Sequence, residues 1–183
     1  MPPEDKDAAL LPHRIGDQWA LIHRPVRPSG AHIWISYSPD LRHWGDHHLI
    51  LEARQGAWWD ASKIGLSCPW IETAEGWLMI YHGVRTTSPG SLYRLGLALF
   101  DLHKPERCLL RGDEWIFAPE AVYEREGDVN NVVFPCGHTV EGDTLSMYYG
   151  AADSCIGLAT ARVSTLLHWL EEHGQPPPAL AIG

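Results

Sequence analysis

Short apolar runs separated by turn residues recur along almost the whole chain, and this cadence restricts the fold more than any other feature. Trp19–Ile22, His32–Ser38, His48–Leu51, Trp77–Tyr81, Leu95–Leu102, Leu145–Tyr149 and Ile156–Val163 each have the length of a strand. Breakers stand between them: Arg27-Pro28-Ser29-Gly30, Ser38-Pro39-Asp40, Ser88-Pro89-Gly90 and the Gly142-Asp143 hairpin signal. The first stretch that reads as a helix is Ser164–His173, where Leu166, Leu167, Trp169 and Leu170 gather on one side. Ser164 is its expected N-cap and Gly174 its stop. Three rounds of strand, turn and strand therefore predict an all-β chain made of repeated sheet units. By pattern alone these units could be propeller blades, a sandwich or an open barrel. Pro176-Pro177-Pro178 and the last five residues read as extended or disordered, which gives one domain over 1–174 and a flexible Pro-rich tail over 175–183.

A chain of 183 residues suits one compact domain or part of a larger one. The formal net charge of −9 argues against nucleic acid and against an anionic membrane surface, both of which need a basic face. No apolar run approaches the ~20 residues that span a bilayer, and MPPEDKDAALLPHR lacks the basic-then-apolar pattern of a signal peptide. A cytoplasmic protein is the expectation. Four widely spaced cysteines, with no CxxC and with small or apolar neighbours, are expected to be buried and reduced. The eleven histidines are scattered, and no HExxH or comparable spacing supports a metal site.

The segment richest in chemistry runs from Trp58 to Gly83, WWDASKIGLSCPWIETAEGWLMIYHG. It carries two indoles and Asp60, places Lys63 before Ile64-Gly65, and ends with His82 at the exit of an apolar strand. A lysine and a histidine beside aromatic platforms suit a polyhydroxylated, partly anionic ligand. Taken singly, each candidate has a plainer reading. Arg24 before Pro25 is a solvated strand end, Lys63 a surface lysine, His82 a histidine bonded to backbone and Tyr93 a packing residue. Asp60 and Asp153 could be turn acids, as Asp40 and Asp101 are read to be.

WWDASKIG, GWLMIYHGV, LGLALFDLHKPERCLLR, NNVVFPCG and LSMYYGAAD, in that order, resemble glycoside hydrolase family 130, the inverting β-mannoside phosphorylases and their hydrolytic relatives. The resemblance runs from about Asp5 to Leu170 and covers only the second half of such an enzyme. It implies a five-bladed β-propeller with the active site at the mouth of the central channel, of which this chain would supply about three blades and a short closing helix. It also implies inorganic phosphate as co-substrate, with no cofactor, and a β-mannoside oligosaccharide as partner. Arg24 of IHRP, Lys63 of SKIG, His82 of YHG and Tyr93 of SLYRLG fall on phosphate-binding positions. Lys6, next to Asp7 in DKDAALLP, is a fifth phosphate-binding candidate by the resemblance, at a position where relatives carry Arg-Asn or Asn-Lys-Asp. Asp60 and Asp153 match acids that face the sugar, and Glu120 and Glu124 of APEAVYE match a structural motif that would pair with an arginine.

Inverting cleavage needs an acid for the leaving oxygen, and in a phosphorylase the phosphate itself is the nucleophile. The family's general acid is an aspartate near a Glu-Asp-Pro-Arg motif that this chain does not contain. Three readings are open. One is a β-mannoside phosphorylase half completed by a partner chain or by self-association; the others are a non-catalytic sugar- and phosphate-binding module and a mannoside hydrolase. Unpaired sheet edges and faces of a partial propeller also lead us to expect self-association.

Overall fold

In a computed structural model, residues 4–88 and 90–178 of the chain are described. In chain order the strands are β1 (Asp5–Leu10), β2 (Trp19–Arg27), β3 (Gly30–Ala31), β4 (Ile33–Ser38) and β5 (Gly45–Leu51), then β6 (Lys63–Leu66), β7 (Ile71–Glu72), β8 (Trp77–Thr87), β9 (Gly90–Phe100) and β10 (Cys108–Gly112). The short helix α1 (Val122–Arg125) precedes β11 (Val133–Glu141), β12 (Thr144–Ala151) and β13 (Cys155–Arg162), and α2 (Val163–His173) and β14 (Gly174–Gln175) close the order. They form three antiparallel sheets. The first runs β1-β2-β4-β5 with β3 on β2, the second β14-β10-β9-β8-β6 with β7 on β8, and the third β11-β12-β13. The chain is all-β, as its cadence predicts.

The second sheet lies between the other two, and β8 shows why its first five residues, Trp77–Tyr81, are all apolar rather than alternating. Trp77, Met79 and Tyr81 belong to one core with Ile22, Ile33 and Ile35 of the first sheet. Leu78 and Ile80 belong to another, with Leu95, Leu97, Leu145 and Met147. A strand buried on both faces has no reason to alternate. Each such side chain withdrawn from water contributes ~1.5–3 kcal/mol. Trp59 lies across two glycines of this sheet. A Cβ on Gly96 would come within 2.6 Å of the indole, and one on Gly83 would also strike it. The indole stacks on Tyr81 at a centroid distance of 5.6 Å.

Several expectations are corrected by the structure. The helix begins one residue early, with Arg162 at the N-cap, and Ser164 is not the cap. Instead Asp143, from the β11–β12 hairpin, accepts hydrogen bonds from both the amide and the hydroxyl of Ser164. An anionic oxygen at a helix N-terminus satisfies free amides better than a neutral hydroxyl does. Gly174 and Gln175 pair with Gly112 and Arg111, so the residue at which the tail was expected to begin lies in a strand. Residues 179–183 of that tail lie outside the described residues. Cys68 is buried, but Cys136 and Cys155 are exposed, on strands of the third sheet. Helix α1 is a single turn too short to leave a periodicity.

Candidate active site

Strand register brings the basic residues together. On the second sheet Lys63 faces Val84, which faces Tyr93, and Gly65 faces His82, which faces Leu95. Side chains two apart on a strand share a face, so Lys63, His82 and Tyr93 emerge on one side. The Lys63 ammonium stands 5.5 Å from the centre of the Tyr93 ring, and the His82 ring stacks on Tyr93 at 6.2 Å. From the third sheet Phe134 packs on His82 with ring centres 4.8 Å apart.

The first sheet supplies the other wall. The register of β1 against β2 shifts between Lys6 and Ala9, and within that bulge Asp7 takes a left-handed φ of 54°. Its carboxylate lies inward, with Oδ2 2.7 Å from Nε of Arg24 and 3.6 Å from Nε2 of His82. Lys6 sits opposite Arg24 across the ladder and is itself exposed. Gly65 makes this approach possible. A Cβ there would collide with Oδ2 of Asp7 and come within 2.6 Å of the His82 ring. Arg24, Lys63, His82 and Tyr93 thus converge where the three sheets meet, with Lys6 at the margin. Asp7, Gly65 and Phe134 are members of the cluster that the sequence did not single out as ligands. Only the DKD triplet hinted at Asp7.

The cluster is locally cationic in a chain of net charge −9. Burial pushes the Asp7 carboxyl above its ordinary range, against the pull of Arg24, Lys6 and Lys63. Burial, aided by the positive charges of Arg24 and Lys63, drives His82 down to about 3, so the ring is neutral near pH 7. The short Arg24–Asp7 contact is poorly aligned. Nε of Arg24 and Oδ2 of Asp7 are both buried and are held against each other as an ion pair.

The remaining candidates fall elsewhere. Asp60 is wholly enclosed. Its Oδ2 accepts a hydrogen bond from Nη2 of Arg111 at 2.7 Å and another from the Tyr81 hydroxyl at 2.9 Å. A carboxylate with no exposed surface cannot meet a sugar ring, and this one holds the second sheet to the loop ahead of β6. Asp153 is exposed in the β12–β13 turn at a left-handed φ of 52° and takes no part in the contacts just described. Glu124 pairs with no arginine. It accepts hydrogen bonds from the Tyr149 hydroxyl and from the amides of Glu120 and Ala121. Asp40 and Asp101 are turn acids, each accepting two backbone amides just ahead in sequence. Among the described residues no group of three or more His, Cys, Asp or Glu is placed to hold a metal. A separate cavity of about 490 Å³ lies near Arg54, Trp58, Asp113 and Pro176–Pro178. The Arg54 guanidinium is already engaged there by the carbonyls of Gly112 and Asp113.

Known proteins give this arrangement a context. The solved β-1,2-mannobiose phosphorylase of Listeria innocua superposes with a TM-score of 0.88 at 41% identity, over 94% of this chain and 48% of that one. The curated Listeria innocua β-1,2-mannobiose phosphorylase is 42% identical over 171 residues, which is 92% of this chain and 47% of that protein. The β-1,4-mannooligosaccharide phosphorylase of Ruminococcus albus is 34% identical over 177 residues, 93% of this chain and 52% of its own length. The chain therefore spans about half the length of the curated relatives it matches. The family profile described as β-1,4-mannooligosaccharide phosphorylase matches residues 2–172, and the chain belongs to that family, glycoside hydrolase family 130.

Proposed function

We propose that this chain is the phosphate-binding, C-terminal half of a β-mannoside phosphorylase. The observation that carries the reading is the convergence of Arg24, Lys63 and His82, from strands far apart in sequence, around one point. Phosphate held there attacks the anomeric carbon of the mannosyl unit from the face opposite the glycosidic oxygen. The bond to that oxygen breaks, an acid protonates it, and mannose 1-phosphate leaves with inverted configuration. Arg24 and Lys63 supply charge, neutral His82 and Tyr93 supply further polar groups, and no cofactor is involved. The acid comes from outside this chain.

The fold reading is of about three blades of a five-bladed propeller. The outward face of the third sheet supports it: Ile156 is 79% exposed and, with Leu158 and Tyr148, forms an apolar patch where a further sheet would pack. The part of the family's fold that this sequence does not span, or a second copy, covers it.

Mannobiose and phosphate supplied to the chain alone should give no mannose 1-phosphate, and adding a polypeptide carrying the missing half should start turnover. Lys63→Ala should abolish that turnover. Release of free mannose without phosphate, unaffected by Lys63→Ala, would make the protein a hydrolase. Phosphate binding without turnover in the completed assembly would make it a binding module.

A further inference from the structure

We propose that Arg85 and Arg94 form a second oxyanion site, on the face of the β8–β9 ladder opposite Lys63 and Tyr93 and suited to a doubly charged phosphate group. It shares no residue with the site proposed above and does not depend on it.

Alternation fixes the placement. Trp77, Met79 and Tyr81 of β8 and Ala98 and Phe100 of β9 belong to the core shared with the first sheet. Arg85 and Arg94 continue those two rows on the same face. Arg94 stands across from Gly83, two residues before Arg85, so the arginines are diagonal neighbours. Among the described residues neither closes an ion pair with a carboxylate. Burial, aided by the charge of Arg85, lowers the pKa of the Arg94 guanidinium, with Glu114 pulling the other way. A bound anion relieves that cost.

The donors are open to a ligand. Both arginines are half-buried and not sealed. Arg85 gives one N–H to the carbonyl of Ala57. Arg94 donates to no described residue and stacks on the half-exposed Trp115 indole, its guanidinium carbon 3.9 Å from the ring centre. Stacking uses the flat face of a guanidinium and leaves its in-plane fork of N–H groups free to grip two oxygens of one oxyanion. Two such cations match a dianion better than a single carboxylate, and phosphate monoesters and hydrogen phosphate carry that charge above pH 7. This face looks toward the first sheet, which the same chain supplies, and that favours a small ion over an acidic segment of another polypeptide.

NMR titration of the full chain with sodium phosphate, and separately with a hexose 1-phosphate, tests this at about pH 7.5 with ionic strength held by sodium chloride. The signals to follow are the Nε–H groups of Arg85 and Arg94 and the indole N–H of Trp115. They should shift saturably with at least one of the two anions, and the tighter of the two names the ligand. They should do so equally in Lys63→Ala, which weakens only the first site. Arg94→Gln should weaken the response of Trp115 about tenfold, the size of one charge-assisted hydrogen bond, and leave the phosphate response of the Tyr93 amide in place. Arg85→Gln should weaken it in the same way, so the test survives if one variant does not fold. No saturation at these signals up to about 50 mM of either anion, far weaker than specific binding, overturns the site. Shifts that vanish in Lys63→Ala and persist in both arginine variants also overturn it, since they report a single site on the other face. Arginine signals that respond while the Tyr93 amide does not would strike the first site and leave this one.

Discussion

Arg111 reaches across 51 residues of sequence to donate to Asp60 at 2.7 Å, inside a core that admits no solvent to the carboxylate. The Arg111 Nε–H also contacts the Tyr81 hydroxyl at 3.1 Å, and the same guanidinium donates to the carbonyl of Glu52. A buried pair of this kind adds little over an apolar isostere, but removing one member strands the other. Arg111→Met should therefore destabilise the chain by about 3–5 kcal/mol in urea denaturation. Asp60→Asn should act in the same direction and lower stability rather than sugar affinity. Wild-type stability in Asp60→Asn with selectively weakened mannoside binding would return Asp60 to the sugar site.

Gly65 and Gly45 offer a matched pair. Both lie in strands, but a Cβ at Gly45 meets nothing within 4 Å, whereas one at Gly65 strikes Asp7 and His82. Gly65→Ala should cost about 1–3 kcal/mol of stability by overpacking and should also abolish phosphate binding, by pushing the two side chains apart. Gly45→Ala should stay within about 0.5 kcal/mol of wild type and bind phosphate normally. Comparing calorimetric affinity and melting temperature across the two variants separates site geometry from a general loss of glycine.

How far the sequence could be read depends on the range of the forces involved. Strands such as β8 and β9 were legible because a local apolar run states its own burial. Lys63, His82 and Tyr93 share a face by simple alternation once those strands are paired. Arg24 could be joined to them only through the family motifs, because its approach depends on how the first sheet packs on the second. Asp60 was misread for a related reason. In WWDASK it looks like an acid beside two indoles, and nothing local announces an arginine half a domain away. Asp7 turns inward through a bulge and one unusual φ, neither of which a DKD triplet encodes. Glu124 was expected to find an arginine and found Tyr149 and two amides, a choice set by the single turn of α1.

The cysteines should separate by reactivity. Cys136 and Cys155 are exposed, while burial pushes the thiols of Cys68 and Cys108 up to about 12. A maleimide at pH 7 should label two thiols quickly and leave two until the chain is unfolded, as mass spectrometry of the labelled peptides can read. Fast labelling of Cys68 would mean that its surroundings, between the second and third sheets, open far more readily than their packing indicates.

His82 gives the fold a definite pH response. Its folded pKa, about 3, lies below the ordinary value of 6.5. The unfolded chain therefore takes up a proton at this position as pH falls below 6.5, while the folded chain does not until near 3. Stability from this group is complete above pH 6.5 and drains as the pH drops through that window, by about 1.4 kcal/mol per unit where only the unfolded state is protonated. Asp7 works in the opposite sense. Its raised pKa means that its contribution is greatest at low pH and fades as pH rises through the folded value. Replacing His82 with Asn keeps the Asp7 contribution and removes the histidine's, so the difference between the two proteins isolates one group. Urea denaturation between pH 4 and 6 should show the wild type losing stability more steeply than His82→Asn, by close to one proton's worth of slope. Parallel curves would show that His82 is protonated in the folded state over this range. It would then meet the anion as a cation beside Arg24 and Lys63, and not as the neutral ring described above.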